Sequence, residues 1–148
     1  HMAELIKIGK PLEETMPIGS KKAYALNFDV CGSSRITHEL FDGIMQTVLK
    51  QCHEIMLEGY NLEAMEANAY KVKDMGDGFL CTVGYPFSTP KGRRGAEIAL
   101  ELADRFISIF NREIEKMEYP QDILCSVSIV QKIEISLVII FFPRRLTN

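Results

Sequence analysis

An α+β fold is predicted for this chain: a ferredoxin-like βαββαβ sheet with an added strand and both helices packed on one sheet face. Three observations predict it. Strand-like alternation begins at Ala23, two helix-length amphipathic segments follow at separate places, and a glycine-rich hairpin lies between them. With 148 residues, 47% hydrophobic and 25% charged, the chain carries enough apolar content for one core of its own. Residues 1–22 read as a tag remnant, His1-Met2, and a leader punctuated by Pro11, Pro17 and Gly19. Residues 23–148 read as the domain.

Tyr24, Leu26, Phe28 and Val30 alternate with Ala23, Ala25, Asn27 and Asp29, the period-two pattern of a strand buried on one side. Asp29 therefore ends this strand on its small, polar face. Cys31-Gly32-Ser33-Ser34 supplies a turn and a helix N-cap. Ile36, Leu40, Phe41, Ile44, Met45, Val48, Leu49, Cys52, Ile55 and Met56 then recur at steps of three and four, predicting a long helix that stops near Gly59. Residues 60–68 carry no clear period. Tyr70 to Met75 and Phe79 to Val83 flank Gly76-Asp77-Gly78 and read as a hairpin.

A loop rich in Pro and Gly from Gly84 to Gly95 precedes a second helix. Its buried stripe is Ile98, Leu102, Phe106, Ile109, Phe110, Ile114 and Met117, and Pro120 closes it. Ile123, Cys125, Val127 and Ile129 alternate with Leu124, Ser126, Ser128 and Val130, and an apolar segment, Ile133 to Phe142, follows as the added strand.

Charge narrows the function. A net charge of −3 and a pI near 5.7 give no global basic field for nucleic acid or an anionic membrane surface, so any anionic ligand is held locally. Cys31, Cys52, Cys81 and Cys125 form no C-x-x-C pair, and no signal-peptide pattern is present, which points to reduced thiols in a cytoplasmic protein. The run Leu137 to Phe142 is far shorter than the roughly 18 residues of a membrane span.

Asp29, at a strand end, and Asp77, in the hairpin turn, fall on elements that neighbour each other in this topology. Two carboxylates converging there can hold two divalent ions, which clamp the oxygens of a phosphoryl-type displacement when about 3.5–4 Å apart. Mg²⁺ or Mn²⁺ suits such a partial, oxygen-rich cage. The turn after Asp29 offers backbone N–H groups and a helix start to phosphate oxygens. A plainer reading makes Asp77 an ordinary turn residue and Asp29 a partner of the helix N-terminus.

Residue context favours the first reading. Phe28-Asp29-Val30-Cys31-Gly32-Ser33-Ser34 resembles the F-x-D-I-x-G-F-T stretch of class III nucleotidyl (adenylate/guanylate) cyclase catalytic domains. Lys73-Asp74-Met75-Gly76-Asp77-Gly78-Phe79 resembles that family's K-x-x-G-D-G hairpin. The resemblance spans roughly residues 23–130. It implies that Asp29 and Asp77 bind two Mg²⁺ or Mn²⁺ ions per site, that Val30, Cys31, Gly32, Ser33 and Ser34 hold phosphates, and that Lys73 reads adenine. Ser33 stands where the family usually has an aromatic residue.

The activity implied is conversion of ATP to cyclic AMP and pyrophosphate, with no protein nucleophile and no catalytic side chain beyond the metal ligands. The resemblance also implies a homodimer, or another cyclase-domain partner, with sites shared across a two-fold interface. An apolar outer sheet face needing cover by that partner is expected. The family's Asn-x-x-x-Arg pattern is not spelled by residues 131–148, which implies a domain truncated or degenerate at its C-terminal end, with impaired turnover or a role as a nucleotide-binding or dimerisation module. A diguanylate cyclase would carry a G-G-D/E-E-F turn, which Met75-Gly76-Asp77-Gly78-Phe79 does not spell. His38 and His53 are too far apart for an i, i+4 zinc pair, and Lys91, Arg93 and Arg94 read as a solvated loop cluster.

Overall fold

The computed structural model describes residues 22–36, 39–117 and 122–132. The leader, His38, the segment 133–142 and the tail lie outside them. Six elements follow in the order β1 (Ala23–Val30), α1 (Phe41–Met56), β2 (Tyr70–Asp74), β3 (Phe79–Val83), α2 (Gly95–Ile114) and β4 (Cys125–Lys132). The strands form one sheet in the order β2-β3-β1-β4 with every neighbouring pair antiparallel. Each helix therefore crosses over one intervening strand, which is the ferredoxin-like arrangement.

One sheet face and the two helices enclose the core. Leu26, Phe28 and Val30 of β1, with Phe79, Cys81 and Val83 of β3 and Val127 and Ile129 of β4, point into it. Phe41, Met45, Val48, Cys52, Ile55 and Met56 line α1, and Ile98, Leu102, Phe106, Ile109 and Phe110 line α2, the three- and four-residue steps that put one helical stripe on a sheet. Phe28 is the hub. Its ring stacks on Phe79 at 5.2 Å between centroids and meets Phe110 and Phe106 edge-on at 6.0 and 6.5 Å. Each such buried ring contributes on the order of 1.5–3 kcal/mol by leaving water, and Phe28 and Phe79 do so one residue from Asp29 and two from Asp77.

Among the described residues no helix lies over the other sheet face. Tyr70, Thr82, Ala25 and Val130 form one row across it, and Lys73, Leu80, Asn27 and Ser128 the next. Asn27, Thr82 and Ser128 make this face mixed rather than apolar, because the small polar alternates of the strands fall here.

The start of the first helix differs from expectation. Gly32 adopts a left-handed conformation (φ 69°), Ser33–Arg35 forms a single 3₁₀ turn, and α1 begins only at Phe41 with no side-chain cap at Leu40. The N–H groups of Arg35 and Ile36 donate to the carbonyls of Gly32 and Ser33 (3.0 and 2.9 Å), closing the 3₁₀ turn and ending the coil there. Ile36 still packs on the core, so its place in the apolar period is real although it precedes the helix.

Candidate functional site

The hairpin between β2 and β3 overhangs the end of β1. Phe28 pairs with Phe79, so the turn before Phe79 reaches the backbone of Asp29. The Met75 N–H donates to the Gly78 carbonyl at 2.8 Å, closing a tight loop with Gly76 at φ 75°, a conformation that suits glycine. Gly78 is buried against β1. A methyl group there would stand 2.4 Å from the Phe28 carbonyl oxygen, 3.3 Å from Asp29 Cα and 3.4 Å from Asp29 Oδ1. Glycine at this position is what lets Asp77 and Asp29 share one end of the sheet.

Asp29 is exposed, whereas Asp77 is half-buried with its Oδ2 shut away from solvent and without a hydrogen-bond partner among the described residues. A buried carboxylate oxygen normally has a partner, because leaving it without one costs about 1–3 kcal/mol or more. The Asp77 oxygen is therefore placed for a ligand that supplies positive charge. Hard divalent cations take oxygen donors of this kind, and Mg²⁺ is commonly held by one or two carboxylates while phosphates and water complete its shell. The residues fit such an ion. Among the described residues no group of three or more His, Cys, Asp and Glu side chains could hold a metal by itself, so the two aspartates could form no more than part of a cage.

The turn after Asp29 is partly committed. The Cys31 N–H donates to the Leu124 carbonyl at 2.8 Å, tying the turn to the chain leading into β4. The amides of Gly32, Ser33 and Ser34 have no acceptor among the described residues, and a run of such amides around a left-handed glycine is a concavity suited to anions. Val30 is buried in the core at the strand end and anchors the turn.

Lys73 reaches the open sheet face through a register shift that residue spacing does not reveal. Lys71 pairs with Cys81 and Lys73 with Leu80, so two lysines at an i, i+2 spacing leave opposite faces of the sheet. Lys71 is spent on Asp74 at 3.0 Å. Lys73, exposed and without an ion pair among the described residues, shares the open face with Asn27 and, one row further along β1, Asp29.

Arg35 has no family motif or spacing to mark it. Its guanidinium folds back over Gly32, where a methyl group would stand 2.7 Å from Arg35 Nη2.

The other sequence candidates do not assemble. Arg93 and Arg94 are paired with Glu101 and Glu97 on the surface. His53 is half-buried on α1 with Nδ1 unpartnered, and no metal-binding group forms around it. Burial pushes the thiols of Cys52, Cys81 and Cys125 up to about 12, leaving only Cys31 exposed among the four. A cavity of about 600 Å³ lined by Tyr24, Gly84, Thr89, Arg94 and Gly95 lies at the opposite end of β1, away from both aspartates.

No family model matches this chain, and no curated protein matches it in sequence. The fold is that of the catalytic domains of adenylyl and guanylyl cyclases. Solved structures with this fold include a non-canonical dimeric guanylyl cyclase domain of the RhoGC fusion protein from the aquatic fungus Blastocladiella emersonii (18% identity, TM-score 0.51, covering 74% of this chain and 56% of that one). The adenylyl cyclase CyaB from P. aeruginosa matches at 13% identity and TM-score 0.52, over 74% of this chain and 55% of its own. The guanylyl cyclase Cya2 matches at 15% identity and TM-score 0.56, over 75% and 54%. The chain thus spans little more than half the length of the cyclase domains it resembles. No helix among the described residues is long and apolar enough to cross a membrane.

Proposed function

We propose that this chain is a metal-dependent nucleotidyl cyclase domain that binds ATP, with Asp29 and Asp77 holding two Mg²⁺ or Mn²⁺ ions. The observation that carries the reading is the buried, unpartnered Oδ2 of Asp77 beside the Gly78–Asp29 contact. When bound, the ions supply positive charge at the phosphates and at the reacting oxygens.

The chain's own residues do the rest by position. The amides of Gly32, Ser33 and Ser34 accept the triphosphate as hydrogen-bond donors, with Val30 and Cys31 fixing the turn from below. Lys73 directs an ammonium across the open sheet face, where a donor suits the unprotonated N1 of adenine. In the reaction the ribose 3′-oxygen bonds to the α-phosphorus, the bond from that phosphorus to the bridging oxygen breaks, the hydroxyl proton departs, and pyrophosphate leaves. Orientation and electrostatics suffice for this step, so no side-chain nucleophile is needed.

In this reading a second copy or another cyclase domain sits on the open sheet face, completing the site from across a two-fold interface. The second reading is a nucleotide-binding or dimerisation module without turnover, which would use the same aspartates and turn. Thermal unfolding tests the shared core of both. Mn²⁺ with a non-hydrolysable ATP analogue raises the melting temperature of the parent, since a ligand of the native state stabilises it. Asp77→Ala abolishes the rise, and an unchanged rise in that variant refutes the site.

A further inference from the structure

Every described arginine but one is held by a carboxylate. Arg93 is paired with Glu101, Arg94 with Glu97, Arg105 with Glu58 and Arg112 with Glu113. Arg35 makes no hydrogen bond or ion pair through its side chain among the described residues. The side chain nevertheless lies in a defined place: over the Gly32 turn, with Nη2 at 2.7 Å and Nε at 3.3 Å from the point a Gly32 methyl would occupy. The backbone holds it there, because the Arg35 N–H donates to the Gly32 carbonyl at 3.0 Å and makes Arg35 the last residue of the 3₁₀ turn.

Two carboxylates, Asp29 and Asp77, stand near this turn, and Arg35 has paired with neither. A guanidinium over a turn whose three amides, like it, have no partner among the described residues is arranged for an anion with several oxygens. Its planar fork can donate two parallel hydrogen bonds to a phosphate group, which an ammonium cannot do. An acidic protein of net charge −3 also needs a local cation to hold a polyanion.

We infer that Arg35 binds the polyphosphate chain of a nucleoside triphosphate at the Gly32 turn, so that this chain supplies a phosphate-binding cation to its own site. The inference rests on the reading of that turn as phosphate-binding and adds the residue that gives it charge. Gly32 is part of the same device, since any side chain there would displace the guanidinium.

The test is displacement of a fluorescent ATP analogue from the full 148-residue chain in Mn²⁺, with ATP, AMP and inorganic tripolyphosphate as competitors. Arg35→Ala weakens ATP and tripolyphosphate about tenfold and AMP much less, and Arg35→Lys recovers part of the loss. Arg35 is exposed and unbonded, so its urea midpoint matches the parent's. Parent and Arg35→Ala proteins that bind ATP and tripolyphosphate equally overturn the inference while leaving the metal site standing. A parent that binds no analogue, with or without Mn²⁺, overturns both. Equal weakening of AMP and ATP overturns the assignment to the polyphosphate.

Discussion

Gly78 and Asp29 touch so closely that no side chain fits between them: a methyl group on Gly78 would lie 2.4 Å from the Phe28 carbonyl oxygen and 3.4 Å from Asp29 Oδ1. This contact docks the hairpin turn on the end of β1 and brings the second aspartate to the first. The two nearest atoms, the Phe28 carbonyl oxygen and Asp29 Cα, are backbone, which cannot swing aside as a flexible side chain would.

Gly78→Ala is therefore expected to lower stability by about 1–3 kcal/mol, the usual range for forcing extra volume into a packed position. It should also remove the Mn²⁺–nucleotide rise in melting temperature, because the turn must move off Asp29. Urea unfolding with and without ligand checks both. Gly76→Ala, where an added methyl meets nothing within 4 Å, should suffer only from its positive φ and is the comparison. A Gly78→Ala protein as stable and as responsive as the parent contradicts the docking.

Lys73 sets base preference in this account. An ammonium donates and cannot accept, so it suits adenine N1 and opposes the protonated N1 of guanine. ATP should displace a fluorescent nucleotide at lower concentration than GTP, and Lys73→Glu should narrow or reverse the difference. Lys71→Glu should not, because that residue pairs with Asp74 and faces the other side of the sheet. Equal competition by the two nucleotides against the parent would remove Lys73 from the site.

Thiol chemistry reports on the turn. Cys31 is exposed, while burial holds Cys52, Cys81 and Cys125 at about 12, so a thiol reagent in the native state should titrate one fast group. Mn²⁺–ATP should slow that reaction, since Cys31 precedes Gly32. Several thiols reacting at one rate, or no protection of Cys31, would count against the placement of the nucleotide.

Acid stability depends on Glu113. This buried carboxylate is held at about 2, below its ordinary 4.5, first by the Lys116 ammonium and then by Gln51 and Arg112. A lowered folded value means that the contribution is fully present above pH 4.5 and disappears as pH falls toward 2. Glu113→Gln should be less stable at pH 7 and should lose less on acidification across that window. Parallel stability curves for the two proteins would contradict this.

Much of the fold is legible from side-chain period. The parity of Tyr24 to Val30 and the three- and four-residue steps of the two helices are burial patterns, and burial is what the core enforces. The positions of Asp29 and Asp77 in the fold were legible, because one lies at a strand end and the other between two glycines. Three features were not. The helix after Ser34 starts at Phe41, since the local 3₁₀ bonds of Arg35 and Ile36 win over the apolar period. The side of the sheet on which Lys73 stands depends on a register shift, a property of strand pairing rather than of β2 alone. Arg35 needs three dimensions because its placement is defined only by the turn it folds over.

The most direct test of the paired-aspartate site is to count Mn²⁺ by the loss of its free-ion electron paramagnetic resonance signal as protein is added with a non-hydrolysable ATP analogue. Two ions bound per chain are predicted for the parent. Asp29→Asn and Asp77→Asn should each lose this binding, and Asp77→Asn should gain about 1 kcal/mol of ligand-free stability by removing the negative charge from the half-buried carboxylate. Parent protein that leaves the free Mn²⁺ signal unchanged, or variants that bind as many ions as the parent, would contradict the account.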